Sequence, residues 1–382
     1  MKFEKCRCMA VIVCAAAIMS CASCGNGDKA GKLTTTTTTT TQAVSAVTEI
    51  SETTTTAPET TTAKVTTAAK PKKEKKKGAL NPLTGLYDVS DGGKGRRPCA
   101  VMVNNIEASL PQYGIYDADI IFEIPVEGGI TRLMALYADE SDIPNVCSVR
   151  SARYYFALFA QSFDAVYLHM GIDKKVAEPM LEDLSIDHID GAYNTNIYDR
   201  DENRLAYYDL EHTAYLWGKG VKDEIDNLGI RSKPKKGYDS FFKFYKEFTK
   251  PSGESCKKAV VNLSTWYVSQ FDYDSKRGTY KKLHNGSKHM DASADKQLEF
   301  TNLLLLESKE IKVINEKNGL MGIDWKGGDG YLVTAGRVRR IKWAKNGEFD
   351  KLTLTDENGK ALSINAGKTY IGVTPQGAAY FS

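Results

Sequence analysis

The stretch EIPVEGGITRLMALY, Glu123 to Tyr137, places two glutamates, a glycine pair and an arginine inside what otherwise reads as buried strand. Gly128-Gly129 between two β-prone runs is a hairpin signal. With those two residues as the loop, Glu127 pairs with Ile130, Pro125 with Arg132 and Glu123 with Met134. A four-residue loop keeps the same register. Side chains alternate between faces, so Phe122, Ile124 and Val126 are expected with Thr131, Leu133 and Ala135 on a core face. Glu123, Pro125 and Glu127 then share the other face with Ile130, Arg132 and Met134. Arg132 lies diagonal to both glutamates, roughly 7–8 Å away at Cα, within reach of long side chains. The spacing therefore predicts a Glu–Arg–Glu triad. A three-residue loop would flip one strand and abolish it.

Three readings of that triad stay open. It is a structural ion cluster that fixes the register, worth little if exposed and costly to break if buried. Or it is a polar site in which the carboxylates orient Arg132 toward a ligand. Or it is an acid/base pair of the kind that cleaves glycosidic bonds. An arginine between two carboxylates lowers both pKa values, whereas a general acid needs its pKa raised.

Other polar residues gather nearby in sequence. Arg150 and Arg153 in SVRSAR are three apart, near the start of a predicted helix. His169 ends the apolar strand DAVYLHMG. Arg200 and Arg204 fall in the loop YDRDENR, and His212 follows before another helix. Together they could line an anion-binding cleft, or simply pair with neighbouring Asp and Glu.

Working outward, the chain of 382 residues has room for two or three domains. Residues 79–250 mix strands and helices. RPCAVMVNN, DADIIFEIPVEG and DAVYLHMG read as strands. SARYYFALFAQSF reads as a helix capped by Ser148 or Ser151, DKKVAEPMLEDL as a second, and Thr213–Leu228 as a third, stopped by Gly229. A Pro/Gly break at Lys250–Glu254 precedes residues 251–382, where short alternating strands and NG and ENGK turns predict a mostly antiparallel β domain. The fold class is α+β: a layered sheet-and-helix domain followed by a smaller β-rich one.

The N-terminus reads differently. Lys2, Lys5 and Arg7 precede an apolar segment, Met9–Met19, that suits an export signal and is too short to span a bilayer. The following IMSCASC resembles the signal of bacterial lipoproteins, with Cys21 as the lipidated residue and Cys24 as the alternative. Residues 1–24 are therefore expected to be the signal and anchor. Residues 25–78 are a Thr- and Lys-rich, low-complexity tether. As a flexible coil it would span on the order of 40 Å.

Charge follows the same division. Residues 1–24 carry three basic groups and one acidic, or +2; residues 25–78 carry nine and five, or +4. With +3 for the whole chain, the remainder carries −3. A mildly acidic folded part argues against nucleic-acid binding. Only Cys99, Cys147 and Cys256 lie in that part, spaced neither as a disulfide framework nor as metal ligands, and they are expected as buried small apolar residues. No GxSxG elbow, Walker loop or HExxH is present. No metal or cofactor is implied.

NPLTGL, RPCAVMVNNIEASLPQYGIYDADIIFEIPVEGGITRLMALYAD, VRSARYYF and IYDRDENR together resemble the YerB-like lipoproteins of Gram-positive bacteria, a family of unknown function. The resemblance runs from about Asn81 to Phe381. Where the family has Gly-Pro before VRSAR, this chain has Cys147-Ser148. Where it has Pro-His-Asn-Leu-Tyr, this chain has Glu211-His212-Thr213-Ala214-Tyr215, keeping His and Tyr only. TYKKLHNGSKHMD resembles the family's Tyr…His-x-Asp segment and brings in Tyr280, His289 and Asp291. The resemblance implies an α+β N-terminal and a β-rich C-terminal domain, and supplies no reaction. The readings carried forward are a lipid-anchored, extracytoplasmic envelope protein that binds a wall polymer or a partner protein, a peptidoglycan hydrolase using His169, His212 and a carboxylate, and a solute-binding lipoprotein.

Overall fold

The computed structural model describes residues 78–238 and 240–382. The export signal, Cys21 and Cys24, and the tether up to Lys77 lie outside them.

The N-terminal half contributes β1 (Cys99–Asn104), β2 (Ile120–Pro125), β3 (Thr131–Tyr137), α1 (Tyr154–Gln161), β4 (Val166–His169), α2 (Ala177–Asp183), β5 (His188–Asp190), α3 (Glu202–Leu205) and α4 (Val221–Asn227). The C-terminal half is built on β6 (Lys258–Asn262), β7 (Val268–Asp274), β8 (Thr279–His284), β9 (Asn302–Glu307), β10 (Gly327–Thr334), β11 (Arg337–Ala344), β12 (Thr369–Thr374) and β13 (Ala379–Phe381). The class is α+β, with a C-terminal half that is mostly antiparallel β.

The two halves are fused through one eleven-stranded sheet. Its order from Glu254–Ser255 is β11, β10, β9, β12, β2, β3, β1, β4, β5, with Thr353–Thr355 added on β11. The junction is the parallel pair β12–β2, Thr369 to Gly372 against Ile120 to Glu123. Every residue of β1, β2, β3 and β4 is buried. That explains their near-continuous apolar runs, because both faces are covered. On one face α1 packs Phe156 and Phe159 over Phe122, Ile124 and Met134, with the Phe122 and Phe159 rings 5.4 Å apart. On the other, the sheet containing β6, β7, β8 and β13 packs Val261, Phe271 and Tyr280 over Ile121, Leu133 and Tyr370.

Several expectations need correction. The hairpin turns through three residues, Glu127-Gly128-Gly129, closed by the Val126 amide on the Ile130 carbonyl at 2.9 Å. Gly128 and Gly129 both take positive φ, 72° and 70°, which non-glycine residues adopt at a cost. The register is therefore Ile124 opposite Arg132 and Glu123 opposite Leu133. Glu123 and Arg132 leave opposite faces, so the Glu–Arg–Glu triad does not form. Helix α1 starts after Arg153 and has no side-chain cap, so neither Ser148 nor Ser151 caps it. The single helix expected over Thr213–Leu228 is instead a strand, Ala214–Leu216, a turn at Gly218–Gly220 and α4. The glycine stop holds, with Gly229 at φ 66°. Cys99, Cys147 and Cys256 are free and buried.

Candidate functional site

The flipped register creates two separate polar clusters, one on each face of the same hairpin. On the face toward β7 and β8, Glu123 is fully buried. Its Oε1 accepts from Asn105 Nδ2 at 3.0 Å and Thr131 Oγ1 at 2.9 Å. Its Oε2 accepts from Ser269 Oγ at 2.7 Å and Tyr370 OH at 3.0 Å, and pairs with Lys282 Nζ at 3.2 Å. Lys282 also donates to His289 Nδ1 at 3.1 Å, and His289 Nε2 donates to Gln112 Oε1 at 2.9 Å. Gln112 Nε2 returns to Asn105 Oδ1 at 3.1 Å, closing a ring. Burial favours the neutral carboxyl of Glu123, but Lys282 and the hydroxyl donors outweigh it and hold the pKa below the usual range. Burial lowers Lys282, and Glu123 offsets this in part. The pair is best described as ionic at neutral pH. Burial, with Lys282 close by, brings His284 to about 4 and His289 well below its ordinary value.

On the opposite face Arg132 is 5 % exposed. It has no carboxylate partner within ion-pair distance; its Nη1 donates to the Ser151 carbonyl at 2.7 Å and its Nε is buried with no partner. Burial, then the nearby charges of Arg153 and Arg150, lower its pKa to about 9. Arg153 is clamped by Glu127, with Nε 2.9 Å from both carboxylate oxygens and Nη2 2.7 Å from Oε2. Despite the cost of burial, Arg153 and Arg132 hold the Glu127 carboxyl below its usual range. Arg150 donates through Nη1 and Nη2 to Glu211, at 3.1 and 3.0 Å, while its Nε is also buried without a partner. The segment carrying Arg150 and Arg153 is laid alongside the strand ends by the Arg150 amide on Met102 O and the Ala152 amide on Gly171 O. Three guanidinium groups thus converge where β1, β3 and α1 meet.

The remaining sequence candidates separate. His212 borders the arginines: its Nδ1 accepts from Asn104, the cross-strand partner of Arg132, at 2.9 Å. Its Nε2 lies 3.6 Å from Glu211. His169 is buried, donating Nδ1–H to Gly171 O at 2.9 Å and accepting from His188 at 3.0 Å. Burial brings its pKa to about 4, partly opposed by Asp190. Arg200 braces the Leu210 carbonyl at 2.7 Å, and Arg204 holds the Ser109, Pro111 and His212 carbonyls while stacking on Tyr208 at 4.6 Å. Both are loop braces, so of the arginines expected near the cleft only Arg132, Arg150 and Arg153 converge. Tyr280 is buried between Cys256 O and the Gly336 amide, and Asp291 accepts from the Tyr116, Ser293 and Ala294 amides. Both organise turns and strands. His289 alone of the C-terminal candidates enters the Glu123 ring.

Sequence reading missed Lys282, Gln112, Asn105, Ser269 and Tyr370. A signal existed for one of them. In TYKKLH the alternation that buries Tyr280 and His284 also buries Lys282, and a lysine at an inward position calls for a buried partner.

The family model described as protein of unknown function (DUF3048), N-terminal domain, matches residues 83–231, and the corresponding C-terminal model matches residues 259–371. The chain belongs to this family. Its resemblance to the YerB-like proteins is confirmed. YerB of Bacillus subtilis (strain 168), whose name marks it as a candidate lipoprotein, is 30% identical over 301 residues, covering 77% of this chain and 86% of that one. The crystal structure of Bacillus subtilis YerB matches with a TM-score of 0.66 at 27% identity, covering 79% of this chain and 98% of that chain.

Proposed function

We propose that this is a lipid-anchored, extracytoplasmic envelope protein of a Gram-positive bacterium, which binds a wall component or a partner protein through the Arg132 cluster without catalysing a reaction. The observation that carries the reading is Arg132, a buried cation with one neutral acceptor, crowded by two more guanidinium groups. The nearby Glu127 carboxylate is clamped on Arg153; a buried charge whose counter-charge is shared in this way is costly, and an anionic ligand reduces that cost. Lipidation at Cys21, or alternatively Cys24, and a tether over residues 25–78 would set the reach from the membrane. The lipoprotein name of the Bacillus relative supports that anchor.

The competing readings find less support. A hydrolase needs a histidine beside a carboxylate and facing substrate; His169 and His212 are both buried. Glu123 is occupied by five donors of its own. A hinged solute binder needs lobes that part, whereas here the halves share a sheet and the Glu123 ring ties them together.

The test is to incubate the full chain with purified peptidoglycan carrying its anionic polymers. The amount retained is measured, and the soluble fraction is analysed by mass spectrometry. Retention that disappears in Arg132→Met, with no new soluble fragments, is the expected result. Fragments released by the wild type would overturn the non-catalytic reading.

A further inference from the structure

Arg132 is fixed at one end. The bond from Nη1 to the Ser151 carbonyl anchors one side of the guanidinium, and the buried Nε is left without a partner on its Nε–Nη2 edge. Two parallel N–H groups on such an edge match a group with two terminal oxygens held by one atom. Arg150 is fixed in a similar way by Glu211, and its buried Nε is a second donor left over. Helix α1 starts after Arg153 without a side-chain cap, so the positive end of its dipole adds to the field there. The charge count is unequal: three arginines against Glu127 and Glu211 leave one positive charge.

Resting on the reading of this cluster as a binding site, we propose that it takes one monoanionic group, a carboxylate or a phosphodiester, seated two-pronged on the Nε–Nη2 edge of Arg132 with Arg150 Nε as a third donor. Such a group brings the net charge of the cluster, the exposed Glu211 at its rim included, to zero. A dianionic phosphate monoester would leave one uncompensated negative charge there, and the same desolvation cost would return with opposite sign. Peptide carboxylates and polymer phosphodiesters are the two sources of this chemistry in wall material.

Calorimetric titration of the full chain in detergent at pH 8 separates the outcomes. The probes are N-acetyl-D-alanyl-D-alanine, glycerophosphoglycerol and glycerol 3-phosphate. We expect at least one of the first two to bind about tenfold or more tighter than the third. We expect its affinity to fall at least about tenfold in Arg132→Lys, which keeps the charge and loses the fork. Thermal melts of the variant guard against misfolding. Whichever monoanion binds identifies the source, and equal binding of both supports the shared chemistry. Tighter binding of glycerol 3-phosphate, unchanged affinity in Arg132→Lys, or no binding of either monoanion would overturn the proposal. Loss of wall retention in Arg132→Met alongside any of these would leave the binding function standing and remove only the ligand class. Retention that survives Arg132→Met would remove both.

Discussion

Glu123 and Arg132 come from paired strands of one hairpin, and both are buried, yet their surroundings differ in kind. Glu123 meets five donors, including a lysine that brings the opposite charge. Arg132 meets one carbonyl, with two further cations nearby and only the Glu127 carboxylate, already clamped on Arg153, to oppose them. The first cluster closes a ring and joins residues from both halves of the chain, with only the neutral His284 beside it left without partners. The second is incomplete. A buried polar network whose members are satisfied specifies structure, while one with a charge left over needs something from outside. A structural lock and the proposed binding site thus differ in kind, although they look alike as lists of charged residues.

The sharpest way to break the contrast is to remove one partner on the locked side. Lys282→Met strands the Glu123 carboxylate, and should cost about 3–5 kcal/mol in urea unfolding. A loss under about 1 kcal/mol would mean the ring is not a lock.

Acid acts next, and on both faces: His284 and His289 lie beside the Glu123 ring, whereas His169 follows Tyr167 onto the α1 face. His284 and His169 sit near 4, and His289 well below its ordinary value, against 6.5 when unfolded. The unfolded chain binds more protons below pH 6.5, so these groups favour folding above that value. Their contribution is lost as the pH falls toward 4. At about 1.4 kcal/mol per unit for each histidine the three contribute up to about 4 kcal/mol per pH unit, opposed by about 1.4 from Asp119, whose burial pushes its carboxyl up to about 7. Unfolding free energies at pH 7, 6, 5 and 4.5 would show it. A flat profile down to pH 5 would contradict the buried neutral histidines.

On the open side the sign should reverse. Arg132→Met removes an uncompensated buried charge, so stability should hold or rise by about 1 kcal/mol. The smallest effect belongs to the rim. Glu211→Gln removes an exposed charge and should shift stability by less than about 0.5 kcal/mol. It should also strengthen anion binding, because Arg150 loses its neutralising partner. Weaker binding in that variant would place the ligand elsewhere.

What the sequence made legible depends on how locally each feature is encoded. The fold class follows from periodicity, and the strands over Cys99–Asn104, Ile120–Pro125 and Val166–His169 are plain in their apolar runs. The link from Arg150 and Arg153 to the hairpin was legible as proximity in the chain. Which face each charge takes was not. The parity rests on one residue of loop, and Glu127-Gly128-Gly129 serves a two-, three- or four-residue turn equally well as a string of letters. The lock was illegible for a further reason: Glu123 finds Lys282, Ser269 and Tyr370 between 146 and 247 residues away, and one chain carries no signal of such pairing. His169 misled because a histidine at a strand end suits a site and a core equally well.

The most direct test of the contrast is to measure wall retention and unfolding free energy on the same preparation of Arg132→Met, beside the wild type. Retention lost, with stability kept or raised, is the expected result. Retention kept, with a loss of stability like that expected of Lys282→Met, would contradict it and make the arginine cluster a second lock.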